Sequence, residues 1–253
     1  MKKFLSLLAF ASVVTTASSA NFAASVVSYQ PGVGFASRYT NAAAVLGEPS
    51  RVNPFEDATD PFNPAYGPGQ ILSLGAGGSL TVRLAAPVLN HPQNRFGVDF
   101  TIFGNSGFII TNEFDLATFN WVGTPATDGS LFGANQGSTR VSVSQDGVSF
   151  FQLDPALAPT LDALLPTDGA ADFSKPSDPE LTASDFAGLN LEQIRALYHG
   201  SAGGAGFDLA WARDASGNRV HMNAVNFIRV EVLDGKIEVD GFSGVFSPPG
   251  RTR

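Results

Sequence analysis

Four oxygen-bearing side chains, Asp99, Asn105, Glu113 and Asp115, lie close together along the chain. Carboxylate and amide oxygens are the ligands that a hard cation such as calcium takes, so these four form a candidate calcium set, although their spacing is not that of an EF-hand loop. The competing reading makes Asp99 a hydrogen-bonded organiser of a turn and leaves the other three solvated. Asp208, within GAGFDLAW, and Asp240 are further carboxylates in apolar surroundings. A carboxylate so placed commonly accepts backbone hydrogen bonds.

A second constellation is Arg195, Tyr198 and His199. A base, a phenol and a neutralising cation within one helical turn are the groups that acid–base cleavage of a polysaccharide needs, and packing at a helix end is the alternative. The remaining histidines, His91 and His221, complete no HxH, HExxH or HxxxH pattern, so a histidine metal centre is poorly supported. There is no GxSxG elbow, and among 23 acidic residues no pair is singled out for glycoside hydrolysis. The GAGG and GSAGGAG runs lack the lysine and helix of a phosphate loop, and read as turns. Trp121, Tyr66 and Phe108 are candidates for an aromatic platform that stacks on sugar rings; Trp211, in an apolar run, reads as core.

The context for such chemistry is set by the N-terminus. Lys2 and Lys3 precede an apolar run from Phe4 to Val14 interrupted only by Ser6 and Ser12, and Ser18 and Ala20 put small residues at the −3 and −1 positions of a cleavage site. Residues 1–20 are therefore expected to be a secretory signal peptide, and the protein to work outside the cytoplasm, whether extracellular, at the cell surface or in the periplasm. No later run approaches the roughly 20 apolar residues of a membrane-spanning helix.

Cleavage leaves 233 of the 253 residues, enough for a single β-domain at 21–253, and takes the formal charge from −8 to −10. An acidic chain with scattered basic residues repels phosphate backbones, which argues against nucleic-acid binding. The absence of cysteine excludes disulfides, thiolate metal sites and cysteine nucleophiles.

The elements that must position these residues are mostly strands. Twenty-one phenylalanines and frequent turns built from 27 glycines and 16 prolines favour an all-β sandwich. Val26–Tyr29, Ile71–Leu74, Ser79–Ala85, Phe96–Phe103, Phe207–Trp211, Asn226–Leu233 and Ile237–Val245 read as strands. Phe96–Phe103 is expected to be the strongest, with Phe96, Val98, Phe100 and Ile102 sharing a face. Asp146-Gly147 and Asp234-Gly235 each predict a hairpin, the first within Arg140–Leu153. Residues 31–69 read as a long ordered loop with a helical turn at Ala42–Leu46. Residues 154–199 form an insertion carrying two short helices, one at Ser184–Ala187 and one starting at Asn190 and stopped by Gly200. Long loops on a rigid sandwich are where binding sites usually sit.

RVSVSQDGVSF and NFIRVEVLDG resemble the strand pairs of discoidin-like and carbohydrate-binding jelly rolls. AAAVLGEP, SLGAGGSLTVRL, GVDFTIFGN and GSAGGAGFDLAW together resemble a group of uncharacterised bacterial cell-surface proteins, some bearing a C-terminal sorting signal. The closing FSPPGRTR departs from that signal. The resemblance implies a jelly-roll-like antiparallel β-sandwich and a surface location, and no established reaction. The sequence expectation is an exported binding module for a glycan or another cell-surface component, with calcium as its possible ordering ion. The alternatives are a carbohydrate-active enzyme, a lyase or hydrolase, and a self-associating matrix protein.

Overall fold

The computed structural model describes residues 21–135 and 137–245. The signal peptide expected over residues 1–20 and the FSPPGRTR end lie outside the described residues. Within them the protein is an all-β sandwich whose central feature is one antiparallel sheet of nine strands, curled so that its two halves share a core.

In chain order the strands are β1 (Asn21–Gln30), β2 (Leu72–Gly75), β3 (Ser79–Leu89), β4 (Phe100–Phe103), β5 (Gly107–Phe108), β6 (Phe114–Asp115), β7 (Asn120–Trp121) and β8 (Leu131–Phe132). Then come β9 (Ser138–Ser144), β10 (Phe151–Leu153), the helix α1 (Leu191–Tyr198), β11 (Ala205–Phe207), β12 (Ala212–Arg213), β13 (Ala224–Asp234), β14 (Lys236–Val239) and β15 (Gly241–Gly244). The large sheet runs β11-β4-β15-β1-β3-β13-β9-β10-β12, and β2 pairs separately with β14. Strand β1 joins the halves: Asn21 and Phe22 pair with β15, while Ala23 to Gln30 pair with β3.

The register explains the burial. Val26, Val82, Ile228 and Val143 stand in one line across β1, β3, β13 and β9, and Tyr29, Leu80, Val230 and Val141 in the next. Between these lines, on the opposite face, runs the polar row Ser28, Thr81, Arg229, Ser142 and Gln152. Period-two alternation thus puts every β-branched residue of these lines on the core side. Phe100, Ile102, Phe207 and Phe242 from the other half, with Leu72, Leu74, Ile237 and Val239 from the β2–β14 pair, join the same cluster. Phe100 and Phe207 stack with centroids 5.1 Å apart. Glycine allows close backbone approach, as where a Cβ on Gly75 would stand 2.0 Å from the Val33 carbonyl oxygen.

Four local expectations are corrected. The strand expected from Phe96 begins only at Phe100, because Phe96 takes a positive φ of 60° and turns outward. The Asp146-Gly147 connection is a wide loop rather than a tight two-residue turn: Phe151 already pairs with Val143, and the Asp146 carboxylate accepts from the backbone of Val148 and Ser149. Asp234-Gly235 makes no hairpin, since β13 pairs with β3 and β9 while β14 leaves for β2. Phe207–Trp211 also divides, β11 ending at Phe207 and Leu209–Trp211 forming a single 3-10 turn.

Candidate functional site

The long loops converge on a second, smaller core made of Phe108, Phe186, Ile194 and Tyr198, flanked by Phe62, Leu131 and Leu164. Fully burying each such side chain stabilises by about 1.5–3 kcal/mol, enough to anchor loops that lack sheet pairing. Helix α1 is specified locally. Asn190 accepts from Gln193 N–H at 3.1 Å while the Gln193 side chain accepts from Asn190 N–H, a complete capping box. Ile194 and Tyr198, four apart, face inward; Leu191 and Arg195, also four apart, face a cleft. His199 ends the helix in the left-handed conformation just before Gly200.

That cleft has a volume of about 500 Å³ and lies between three segments. Asp60 and Phe62 come from the first long loop, Ile110, Thr124 and Pro125 from the connection after β5, and Asn190, Leu191, Glu192 and Arg195 from the insertion. Backbone bonds tie the walls together. Phe108 N–H donates to the Pro61 carbonyl at 2.7 Å, and Thr127 N–H donates to Leu189 at 3.1 Å. The lining is apolar along Phe62, Ile110, Pro125 and Leu191, with a few polar groups around it, which is the usual make-up of a small-ligand site.

Two charged groups in the cleft are held in fixed orientation. Arg195 grips Asp168 through Nε at 2.8 Å and Nη2 at 2.9 Å, so its Nη1 has no hydrogen-bond partner among the described residues. The ion pair with Asp168 raises the guanidinium pKa further above its ordinary value. Asp60 spends one carboxylate oxygen on Phe62 and Asn63 N–H, at 2.7 and 3.0 Å. Burial lifts its pKa above the ordinary carboxylate value, against the lowering by those bonds and by Arg195.

Beside the cleft stands the β6–β7 hairpin. Asn112 clamps its foot, donating to the Val122 and Thr124 carbonyls at 3.0 and 3.2 Å and accepting from Ala126 N–H at 2.7 Å. Phe114 and Trp121 face each other across the pair with centroids 5.0 Å apart. Phe119 at the tip is 77% exposed and Trp121 38%. Asp115 shapes the tip by accepting from Ala117 N–H and the Thr118 hydroxyl, both at 2.8 Å.

The residues singled out from the sequence fall into different places. Trp121 is on the exposed hairpin. Tyr66 is partly exposed beside Phe55, with ring centroids 6.3 Å apart. Phe108 is not a platform, because it is fully buried in the smaller core. Arg195, Tyr198 and His199 do not converge. Arg195 lines the cleft, Tyr198 is buried with its hydroxyl donating to the Pro166 carbonyl at 2.9 Å, and His199 lines a different depression. Burial drives the Tyr198 phenol well above its ordinary pKa, which unsuits it to proton transfer at neutral pH.

Nor do Asp99, Asn105, Glu113 and Asp115 form one ligand set. Asp99 and Asn105 flank opposite ends of β4, roughly 15–20 Å apart at the rise of an extended chain. The Asp99 oxygens accept from Asn94 Nδ2 and the backbone of His91 and Leu209. Glu113 and Asp115 belong to the hairpin. Among the described residues no three His, Cys, Asp or Glu side chains are grouped to hold a metal ion. Asp208 and Asp240 have the backbone-accepting roles expected of them, toward Ala210 and Ser50 N–H.

The sequence pointed to the two loops but not to Asp60, Phe62, Ile110 or Glu192. Asp60-Pro61 announces a turn, yet nothing in the linear pattern pairs that turn with the first residues of α1. No helix among the described residues is long and apolar enough to cross a membrane. No family model matches the chain, and no curated protein does.

Proposed function

We propose that the protein is an exported binding module that takes a saccharide unit of a glycan into the cleft between Asp60, Ile110 and Arg195. The observation that carries this reading is the combination, in one cleft, of an apolar lining with an oriented carboxylate and guanidinium. A sugar ring offers an apolar face and a rim of hydroxyls, and Asp60, Asn190 and the open Nη1 of Arg195 supply matching acceptors and donors. The rings of Phe119 and Trp121, exposed on the hairpin whose foot meets the cleft wall at Thr124, offer a second apolar surface for another unit of the chain. The export half of the proposal rests on the charged, apolar and small-residue pattern of residues 1–20.

A glycan array with wild-type protein and Asp60→Asn tests the binding. The variant keeps the shape of the side chain and removes its charge. Selective binding by the wild type, weakened in the variant, supports the reading; no binding to any sugar sinks it.

One observation favours the enzymatic alternative. The cleft holds two carboxylates, Asp60 and Glu192, and burial raises the pKa of Asp60 as a proton donor requires. Release of reducing ends from a bound glycan, abolished by Asp60→Asn and Glu192→Gln separately, would make the protein a hydrolase.

A further inference from the structure

A second depression, of about 330 Å³, opens between the turn at Asn94–Arg95 and the segment from Ser174 to His199. Its lining includes Arg95, Lys175 and His199 and, among the described residues, no carboxylate. On a chain of formal charge −8 this is a local inversion of sign. Each cation is set in place by something other than a buried acid. The Arg95 guanidinium lies 4.6 Å over the Phe96 ring. Lys175 Nζ lies 3.6 Å from where a Cβ on Gly200 would stand, and its ion pair with Asp172 is a solvent-exposed contact at 4.0 Å. An exposed pair at that distance contributes under about 1 kcal/mol, so the ammonium is available to a better partner.

The two walls are shaped by left-handed backbone: His199, at φ 53°, closes α1 in the usual way, and Phe96, at φ 60°, turns the chain directly after Arg95. Asn94 and Ser174 also line the depression, with their side-chain donors already committed, Asn94 Nδ2 to Asp99 at 2.7 Å and Ser174 Oγ to Asp172 at 2.6 Å, which leaves the two cations as its open donors.

We infer that this depression is a separate oxyanion site, taking a carboxylate or sulfate carried on an extracellular polysaccharide between Arg95 and Lys175. The glycan reading of the other cleft bears only on which polymer carries the anion. An oxyanion between an arginine and a lysine gains charge-assisted hydrogen bonds from both, and the planar fork of Arg95 suits two oxygens of one group. Asp172 is the acidic competitor that the ligand displaces from Lys175.

The test is isothermal titration at 0.15 M salt with three probes: oligogalacturonate for carboxylate, a dextran sulfate fragment for sulfate, and neutral maltohexaose. Wild type is compared with Arg95→Ala/Lys175→Ala and with Asp60→Asn. One or both charged probes should bind, with affinity about tenfold or more weaker in the double variant and unchanged in Asp60→Asn. The arm that binds identifies the anion. Since the double variant can lose affinity by unfolding, and since sulfate stabilises folded proteins in general by exclusion from their surface, the rise in melting temperature produced by the bound charged probe must also be larger in the wild type than in Lys175→Met, which leaves the backbone and Arg95 in place. Charged probes that bind no tighter than maltohexaose, or equally to the double variant, overturn the proposal. Loss of maltohexaose binding alone counts against the glycan cleft and leaves the oxyanion site standing.

Discussion

Arg195 and Asp168 form a two-pronged ion pair in which the partners are unequally buried: the Asp168 side chain is 1% exposed and that of Arg195 39%. Removing the arginine leaves a carboxylate with little access to water, whereas removing the aspartate frees a guanidinium that can turn outward. Arg195→Ala should therefore destabilise by about 3 kcal/mol, at the low end for breaking a buried pair because solvent already reaches the guanidinium. Asp168→Ala should lose less, about 1–2 kcal/mol. Urea unfolding of both variants decides this, and equal losses would show that burial does not control the pair.

Three buried carboxylates make stability depend on pH in an uncommon direction. Burial pushes Asp162 and Asp240 up to about 7 and Asp99 up to about 6, despite the hydrogen bonds each accepts. An unfolded aspartate titrates near 3.9, so between about pH 4 and 7 the folded chain holds protons that the unfolded chain releases. Stability should rise as pH falls from about 8 to about 5. Below about pH 4 it should fall, as Asp115, Asp128, Asp146, Asp185 and Asp214, whose pKa values their turn hydrogen bonds lower, become protonated. Thermal melts across pH 3.5–8.5 should show a maximum near pH 5. Asp240→Asn should flatten the neutral limb, and a melting temperature that climbs steadily from pH 5 to 8 would contradict the sign.

The pattern of the sequence was sufficient where chemistry is local. The readings Ser79–Ala85 and Asn226–Leu233 fall inside strands that run Ser79–Leu89 and Ala224–Asp234, and Asn190 and Gly200 bound α1. It failed where a distant partner decides. Asp234-Gly235 has the composition of a hairpin turn, but Lys236–Val239 finds its partner in Leu72–Gly75, so the chain crosses instead of folding back. Phe108 looked like any exposed aromatic until Phe186 and Tyr198, brought in by the insertion, covered it. The cleft shows the same limit, since Asp60 and Arg195 are joined by loop packing that has no period.

The aromatic tip gives a prediction separable from folding. Phe119 and Leu116 are about three-quarters exposed and belong to none of the packed clusters. Phe119→Ser should thus change unfolding free energy by less than about 0.5 kcal/mol. If the hairpin stacks on a glycan, the same substitution should weaken binding several-fold, in line with about 0.5–1.5 kcal/mol for an aromatic contact. Unaltered affinity on the glycan array would confine recognition to the cleft.

Asn112 should control the hairpin without controlling the fold. Its side chain makes three hydrogen bonds at the hairpin's foot, to Val122, Thr124 and Ala126, while the backbone contributes the two-residue β6–β7 pair and the Val122–Glu113 and Thr111–Ala126 bonds. A two-stranded hairpin alone is marginal in water, so losing the clamp should let the hairpin open while the nine-stranded sheet is untouched. The readout is Trp121 fluorescence in a Trp211→Phe background, which leaves one tryptophan of the two in the chain. In Asn112→Ala the emission of Trp121 should shift red and its quenching by acrylamide should rise, because opening separates the ring from Phe114. The global unfolding midpoint should move little. A cooperative loss of the whole fold would instead make Asn112 part of the core's stability, and an unchanged Trp121 spectrum would mean that Phe114, Phe119 and Trp121 hold the hairpin by their own packing.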